Sequence, residues 1–217
     1  MRKVFDEDLQ DLHNILLRMG SVVEKQIYLC IESLVNQDID LAKEVIKDDD
    51  IVDDLEKEIE DKSIRLIAMH QPLATDLRNI FTTIKIAADL ERMADHAVDI
   101  AKITKRLKDE KYIKELIRIP QIANLVKDMI KASLDAYVEG DVDKAYKACK
   151  TDDEIDAVYK NIFGELLLLM SKGSSTVTQA AQLLFVCKFL ERIADHATNI
   201  CEWTIYEVTG DQVDLND

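Results

Sequence analysis

Residues 90–97 read LERMADHA, and almost the same eight letters, LERIADHA, return at residues 190–197, 100 positions later. Two more blocks recur at a spacing of 103 residues: DIDLA at 38–42 with DVDKA at 141–145, and DDIVD at 49–53 with DDEID at 152–156. Three blocks repeated in the same order indicate an internal duplication of one structural unit. The change in spacing falls between the second and third blocks, where a loop can change length at little cost.

Each repeated unit shows the periodicity of three long helices. Apolar residues at helical spacing predict helices over about 7–36, 39–69 and 75–108 in the first unit. Asp38 is the predicted N-cap of the second helix. That helix stops before Pro72, because the residue before a proline is pushed out of the α region.

The predicted fold class is therefore all-α, with six long helices in two pseudo-symmetric three-helix bundles. A charged stretch and then Pro120 separate the halves, so we divide the chain into a first repeat at 1–108, a connector at 109–119 and a second repeat at 120–217. Gly173 to Thr176 is the predicted turn and N-cap between the fifth and sixth helices.

Composition supports this division and excludes several other classes. The 217 residues include 5 Gly and 2 Pro, where average usage would give about 26, and aromatic residues make up 6%. Folds rich in turns and strands are thereby disfavoured. The net charge of −15 disfavours nucleic acid and anionic lipid as ligands, and favours cations or a basic partner surface.

The chain is expected to be cytoplasmic and not inserted in a membrane. Its longest apolar run, Leu166 to Met170, is far shorter than the ~20 residues of a membrane span, and the first residues lack a signal-peptide core. Four scattered cysteines without a CxxC pair are interpreted as reduced core thiols: Cys30, Cys149, Cys187 and Cys201.

Carboxylates form stripes along the helices. On a helix of 100° per residue, Glu91, Asp95 and Asp99 continue the face that carries Leu77 and Phe81. The second half repeats this stripe with Glu191, Asp195 and Asn199. The second and fifth helices carry Asp49, Asp50 and Asp53, and Asp152, Asp153 and Asp156, in the same way.

Like charges one helical turn apart are mutually destabilising, so protons, basic groups or cations must offset them. Arg92 and Arg192 cannot balance so many carboxylates, whereas Mg²⁺, Mn²⁺, Ca²⁺ or iron can bind clustered carboxylates with water. We therefore predict one multi-ligand cation site per bundle. The candidate ligands are Asp49, Asp50, Asp53, Glu91, Asp95 and Asp99 in the first, and Asp152, Asp153, Asp156, Glu191, Asp195 and Asn199 in the second. A solvated acidic face remains the alternative.

Motifs of nucleophilic, nucleotide-binding and zinc-peptidase enzymes are missing from the sequence. A di-iron oxidase would need Glu-x-x-His, whereas Glu91 and His96 are five residues apart. His96 and His196 are predicted to be structural, packed at a helix interface. We predict that the protein is not an enzyme; a metal-dependent enzyme and a metal-free structural bundle stay open as alternatives.

The duplicated Glu-Arg-x-Ala-Asp-His, the segment QPLATDLR at 71–78 and the Asp-Asp-x-Ile/Val-Asp blocks resemble the PhoU family of bacterial regulators of phosphate uptake. The resemblance covers essentially the whole chain. It implies two spectrin-repeat-like three-helix bundles whose surfaces carry multinuclear metal clusters, of iron, zinc, Mn or Mg. In the family the E(D)xxxD motif carries metal, and it maps onto Glu91/Asp95 and Glu191/Asp195.

The resemblance also implies a role and partners. Such proteins are cytoplasmic adaptors that link the ATPase of a phosphate ABC transporter to a sensor histidine kinase, and they dampen the phosphate-starvation response of the Pho regulon. They often form homodimers. The second half has Lys172-Gly173 where the first has Gln71-Pro72, and Lys188 and Asn199 replace Ala88 and Asp99. The second site is therefore expected to bind fewer or weaker metals.

Overall fold

The structure, a computed structural model, describes residues 2–216, and in that range it contains six helices and no strand. The predicted all-α class with six long helices is confirmed, although the first helix begins several residues earlier than predicted. The helices are α1 (Arg2–Asn36), α2 (Ile39–His70), α3 (Thr75–Arg106), α4 (Arg118–Glu139), α5 (Val142–Met170) and α6 (Ser174–Thr209).

Helix ends follow local chemistry. The Asp38 side chain accepts hydrogen bonds from the backbone N–H groups of Asp40 and Leu41, which confirms it as the N-cap of α2. Asp141 caps α5 in the same way in the second repeat. The N-cap of α6 is Gly173, within the predicted segment from Gly173 to Thr176, but no side chain caps the backbone there.

The helices pack as two bundles that share one core. α1, α2 and α3 contact one another, as do α4, α5 and α6, while α3–α6 and α1–α4 contacts join the bundles. One hydrophobic core runs through both bundles, and a small satellite cluster of buried residues lies within the second. None of the helices in residues 2–216 is both long and apolar enough to cross a membrane.

The contact between α3 and α6 places the two repeated motifs face to face. The rings of His96 and His196 lie 5.9 Å apart between centroids, so the equivalent histidines of the two repeats are neighbours. His96 stacks on Phe189 at 5.4 Å, and His196 Nδ1 lies 2.8 Å from Asp89 Oδ1. Both histidines therefore pack at a helix interface, as predicted.

Candidate metal centres

Carboxylates of α2 and α3 face one another on the first bundle. We call Asp49, Asp53, Glu56, Glu91 and Asp95 the first acidic cluster, because their charges act on one another across the two helices. These residues are half-buried. The helices of the first repeat thus bring together the acidic blocks at 49–53 and 91–95, as the carboxylate stripes predict.

Burial and mutual repulsion disfavour ionisation in this cluster. Burial, then the Asp95 charge, raises the pKa of Glu91 to about 7. Burial, followed by Asp53 and Asp95, raises the pKa of Asp49 to about 6. Arg92 offsets part of this charge, with its Nε 3.3 Å from Glu91 Oε2 and its Nη1 3.1 Å from Asp95 Oδ2. Lys102 also acts on Asp49 and Lys57 on Glu56, so five acidic groups still outnumber the nearby cations.

The second bundle carries an equivalent site on α5 and α6. We call Asp152, Asp156, Glu191 and Asp195 the second acidic cluster. Burial and the charges of Asp195 and Asp156 raise the pKa of Asp152 to about 6. Burial, then Glu191, also raises the pKa of Asp195. Asp152 Oδ1 is buried and has no hydrogen-bond partner, so this cluster contains an acceptor with unused capacity.

The two clusters differ in charge. Lys188 forms an ion pair with Glu191, whereas the equivalent residue of the first repeat is Ala88. Tyr159 occupies the position that corresponds to Glu56. The second cluster therefore has one carboxylate fewer, and its Glu191 is paired with a lysine that has no counterpart in the first repeat.

Four predicted ligands lie at the margins of the clusters. Asp50 and Asp153 are exposed, each beside a half-buried aspartate. Asp99 forms an ion pair with Lys102 at 3.0 Å. Asn199 is occupied elsewhere, since its Nδ2 donates to Asp89 and its Oδ1 accepts from Asn216. These residues are less well placed than the half-buried acids.

The apolar part of the predicted stripe is not the core face of α3. Leu77 is 42% exposed and Phe81 is 41% exposed, while Ile80, Leu90 and Met93 are buried. The core face turns away from the stripe because α3 packs against α1, α2 and α6 together. The acids continue a half-exposed flank, which gives water and ions access to them.

These donor sets suit hard cations. Carboxylate oxygens, with water to complete the shell, are what Mg²⁺, Mn²⁺ and Ca²⁺ prefer, and iron also accepts them. Within residues 2–216, no three His, Cys, Asp or Glu side chains converge closely enough to hold an ion together. A cation would therefore have to draw the facing carboxylates together, or reach some of them through water.

Sequence reasoning missed two acidic residues. Glu56 lies one turn beyond Asp53 and joins the first acidic cluster; its spacing of three residues from Asp53 could have revealed it. Asp89 is buried between α3 and α6, and accepts hydrogen bonds from three side chains of α6. In the sequence, Asp89 stands between the apolar residues Ala88 and Leu90, and this position could have indicated that it is buried.

Another polar cavity lies apart from both clusters. It has a volume of about 300 Å³ and lies between α1, α3, α4 and α6, where His13, Asn79 and Glu207 form a hydrogen-bonded chain. Glu207 Oε2 is buried without a partner, and burial raises the pKa of Glu207 to about 7. Burial lowers the pKa of His13. This cavity therefore holds a carboxyl group that keeps its proton to a higher pH than an exposed glutamate does.

Comparison with known proteins supports a common architecture. The chain is 61% identical over all 217 of its residues to the phosphate-specific transport system accessory protein PhoU homolog of Clostridium acetobutylicum, covering 99% of that protein. It is 41% identical to the Rhizobium meliloti homolog of the same name, over 96% of this chain and 88% of that protein.

Two solved structures of PhoU proteins have the same fold as this chain. The crystal structure of the phosphate transport system regulatory protein PhoU from Streptococcus pneumoniae superposes with a TM-score of 0.90 at 30% identity, over 97% of this chain and 99% of that one. PhoU from Pseudomonas aeruginosa gives a TM-score of 0.91 at 33% identity, over 95% of this chain and 100% of that one. The sequence model of the PhoU domain matches residues 16–104 and 119–204, once in each repeat, and the chain therefore belongs to the PhoU family.

Proposed function

We propose that this protein is a metal-binding accessory protein that negatively regulates phosphate uptake and the phosphate-starvation response. The observation that carries the metal part is the pair of facing acidic clusters, which contain half-buried carboxyls with raised pKa values and the unpartnered Asp152 Oδ1. The names of its relatives, accessory proteins of phosphate-specific transport, support the transport part. The proposal assigns binding and regulation, and no catalytic step.

The ligands follow from the clusters. Asp49, Asp53, Glu56, Glu91 and Asp95 would hold metal on the first bundle. Asp152, Asp156, Glu191 and Asp195 would do so on the second. A bound divalent or trivalent cation would supply positive charge that relieves carboxylate repulsion and ties α2 to α3 and α5 to α6.

The proposed partners are the ATPase of a phosphate ABC transporter and a sensor histidine kinase, with this protein as a cytoplasmic, homodimeric adaptor between them. Their identity rests on the family resemblance and on the transport role in the relatives' names. The net charge of −15 suits a basic surface on at least one partner.

The metal proposal is tested by elemental analysis of protein purified without chelator, comparing the parent with a Glu91→Ala/Asp95→Ala variant. Metal content should fall in the variant. A Glu44→Ala/Glu58→Ala variant, which removes two exposed acids of α2 outside the cluster, is the matched control and should keep its metal. Equal metal content in all three proteins would overturn the assignment.

Thermal unfolding gives a second measurement. A ligand that binds the folded state stabilises it by mass action, so excess chelator should lower the melting temperature and added Mn²⁺ should restore it. A melting temperature indifferent to chelator would favour a metal-free structural bundle.

The adaptor proposal is tested by affinity capture from cells with this chain as bait, under crosslinking. Recovery of a transporter ATPase and a histidine kinase is expected. Their absence in crosslinked samples that still recover the bait as a dimer would contradict the adaptor role.

A further inference from the structure

Two of the four cysteines are in contact across a helix interface. Cys149 on α5 and Cys201 on α6 lie close enough that each thiol affects the ionisation of the other. Cys201 belongs to the satellite cluster of the second bundle, and Cys149 packs against it. Ala136, Ala145 and Ala148 supply most of that cluster's other side chains. Because helix separation depends on the side chains at the contact, such small residues let the helices approach closely.

The fold itself does not require thiols at these positions. The offsets of 103 and 100 residues place Ile46 and Ala101 at the equivalent positions of the first repeat. Ordinary apolar residues therefore serve there, and the paired thiols are particular to the second bundle. The remaining cysteines lie elsewhere: Cys30 donates to the carbonyl of Ile27 within α1, and Cys187 is buried in the main core.

We propose that Cys149 and Cys201 are a redox-sensitive pair that forms a reversible disulfide, fastening α5 to α6 beside the second acidic cluster. Cys149 is half-buried and Cys201 is buried, so an oxidant reaches Cys149 first. Because Cys149 packs against the cluster that contains Cys201, Cys201 is the thiol placed to act as the resolving thiol.

The reaction balances with hydrogen peroxide as the oxidant. The Cys149 thiol and one peroxide molecule give a sulfenic acid and one water, with an O–O bond broken and an S–O bond formed. The Cys201 thiol then displaces the hydroxyl group of that sulfenic acid, which leaves as a second water as the S–S bond forms. A small dithiol reductant reverses the step by thiol–disulfide exchange.

The proposed disulfide would lie close to the second acidic cluster. Asp152 follows Cys149 by three residues on α5, so the cross-link would form one helical turn from the carboxylate that has the unpartnered oxygen. Fastening the helices here would fix the separation of the carboxylates that face one another from α5 and α6. This consequence, unlike the disulfide itself, rests on the metal-binding function proposed above.

The test treats the full chain, after chelator, with hydrogen peroxide, and reads the products by peptide mapping without reduction. We expect one peptide pair joined through Cys149 and Cys201, with the loss of two hydrogen atoms, reversed by dithiothreitol. Cys149→Ser should abolish it, and Cys187→Ala should retain it. Circular dichroism checks that each variant is folded. If a variant fails to fold, the peptide map of the unmutated protein still tests the proposal. The cross-link should also raise the melting temperature by about 5 °C or more.

Two results would overturn the proposal. One is irreversible oxidation of Cys149 while Cys201 stays free to react with alkylating reagent after unfolding. The other is recovery of both thiols unmodified from folded protein. The experiment measures peptide masses in protein from which metal has been removed. Neither result therefore depends on whether the acidic clusters bind metal.

Discussion

At the scale of single residues, Asp89 joins the two repeats. Its carboxylate lies 2.8 Å from His196 Nδ1, and it accepts from Asn199 Nδ2 at 2.9 Å and Trp203 Nε1 at 3.1 Å. All three partners are on α6, while Asp89 is on α3. A buried carboxylate that receives several hydrogen bonds holds its donors in place, and their desolvation becomes costly once it is removed.

Asp89→Ala should therefore lower the free energy of unfolding by about 2–4 kcal/mol, because it leaves three donors without their acceptor. Urea unfolding in the presence of chelator measures this without any contribution from bound metal. Asp109→Ala is the control, since Asp109 is an exposed residue of the connector, and it should change stability by less than about 0.5 kcal/mol. Similar values for the two variants would contradict the bridging role of Asp89.

The raised pKa of Glu207 predicts that the stability of the folded protein depends on pH. Burial raises the pKa of Glu207 from 4.5 to about 7, so the folded protein keeps a proton that the unfolded chain loses in this interval. The folded state is favoured by this residue below about pH 4.5, and that stability is lost as the pH rises through about 7. Glu207→Gln should then stabilise the protein relative to the parent by about 1–3 kcal/mol above pH 7 and by little at pH 5.

The measurement is chemical unfolding of the two proteins at several pH values from 5 to 8. Glu139→Gln, at an exposed acid of the same cavity, is the control and should show no such trend. A stability difference that stayed constant across this range would exclude titration of Glu207 as its cause.

At the scale of the helix, the packing around a glycine determines how its replacement by alanine would change stability. Gly20 lies where α1 approaches α4, and a Cβ built on it would lie 2.7 Å from Leu134 Cδ1. Gly164 in α5 has open space around the same point. Both glycines carry the usual entropic cost of glycine inside a helix, so their different surroundings isolate the contribution of packing.

Gly164→Ala should stabilise the protein by about 0.5–1 kcal/mol through helix propensity and a less flexible unfolded chain. Gly20→Ala should lack this gain or be destabilising, because the new methyl group forces Leu134 to move in a packed interface. Paired urea unfolding curves give the comparison. Equal stabilisation by both substitutions would show that the Leu134 side chain moves aside at little cost.

The helices were predictable because their signals are local. Periodicity gave six helices, and Asp38 gave the start of α2, since a capping side chain acts on its own backbone. The acidic clusters followed from the repeated blocks, because each block carries its acids at fixed helical spacing. The Asp89 network and the exposure of Leu77 could not be predicted, since both depend on how α3 and α6 cross.

At the scale of the whole molecule, duplication has produced two centres with unequal charge. Arg92 pairs with Glu91 and Asp95 in the first cluster, which has five acids, while Lys188 pairs with Glu191 in the second, which has four. A cation at the proposed second centre would therefore meet an ammonium group, and we expect Coulomb repulsion to weaken its binding.

Lys188→Ala restores the residue found at position 88 and should tighten Mn²⁺ binding at the second centre about 5-fold. Calorimetric titration in the Glu91→Ala/Asp95→Ala background isolates that centre. Lys172→Ala removes an exposed charge outside the cluster, and it should leave the affinity unchanged. An equal effect of both substitutions would indicate that only the overall charge of the chain matters.

The Asp89 network also means that the two repeats have ceased to be interchangeable. Phe189 stands where the second repeat would need an aspartate, and Asp99 and Ile103 stand where the first would need Asn199 and Trp203. A tandem of two first repeats would bury Asp89 opposite a second carboxylate, and a tandem of two second repeats would leave the donors without an acceptor. Each half has become the obligate counterpart of the other, so their ancestral symmetry survives in the backbone and is lost in the side chains that join them.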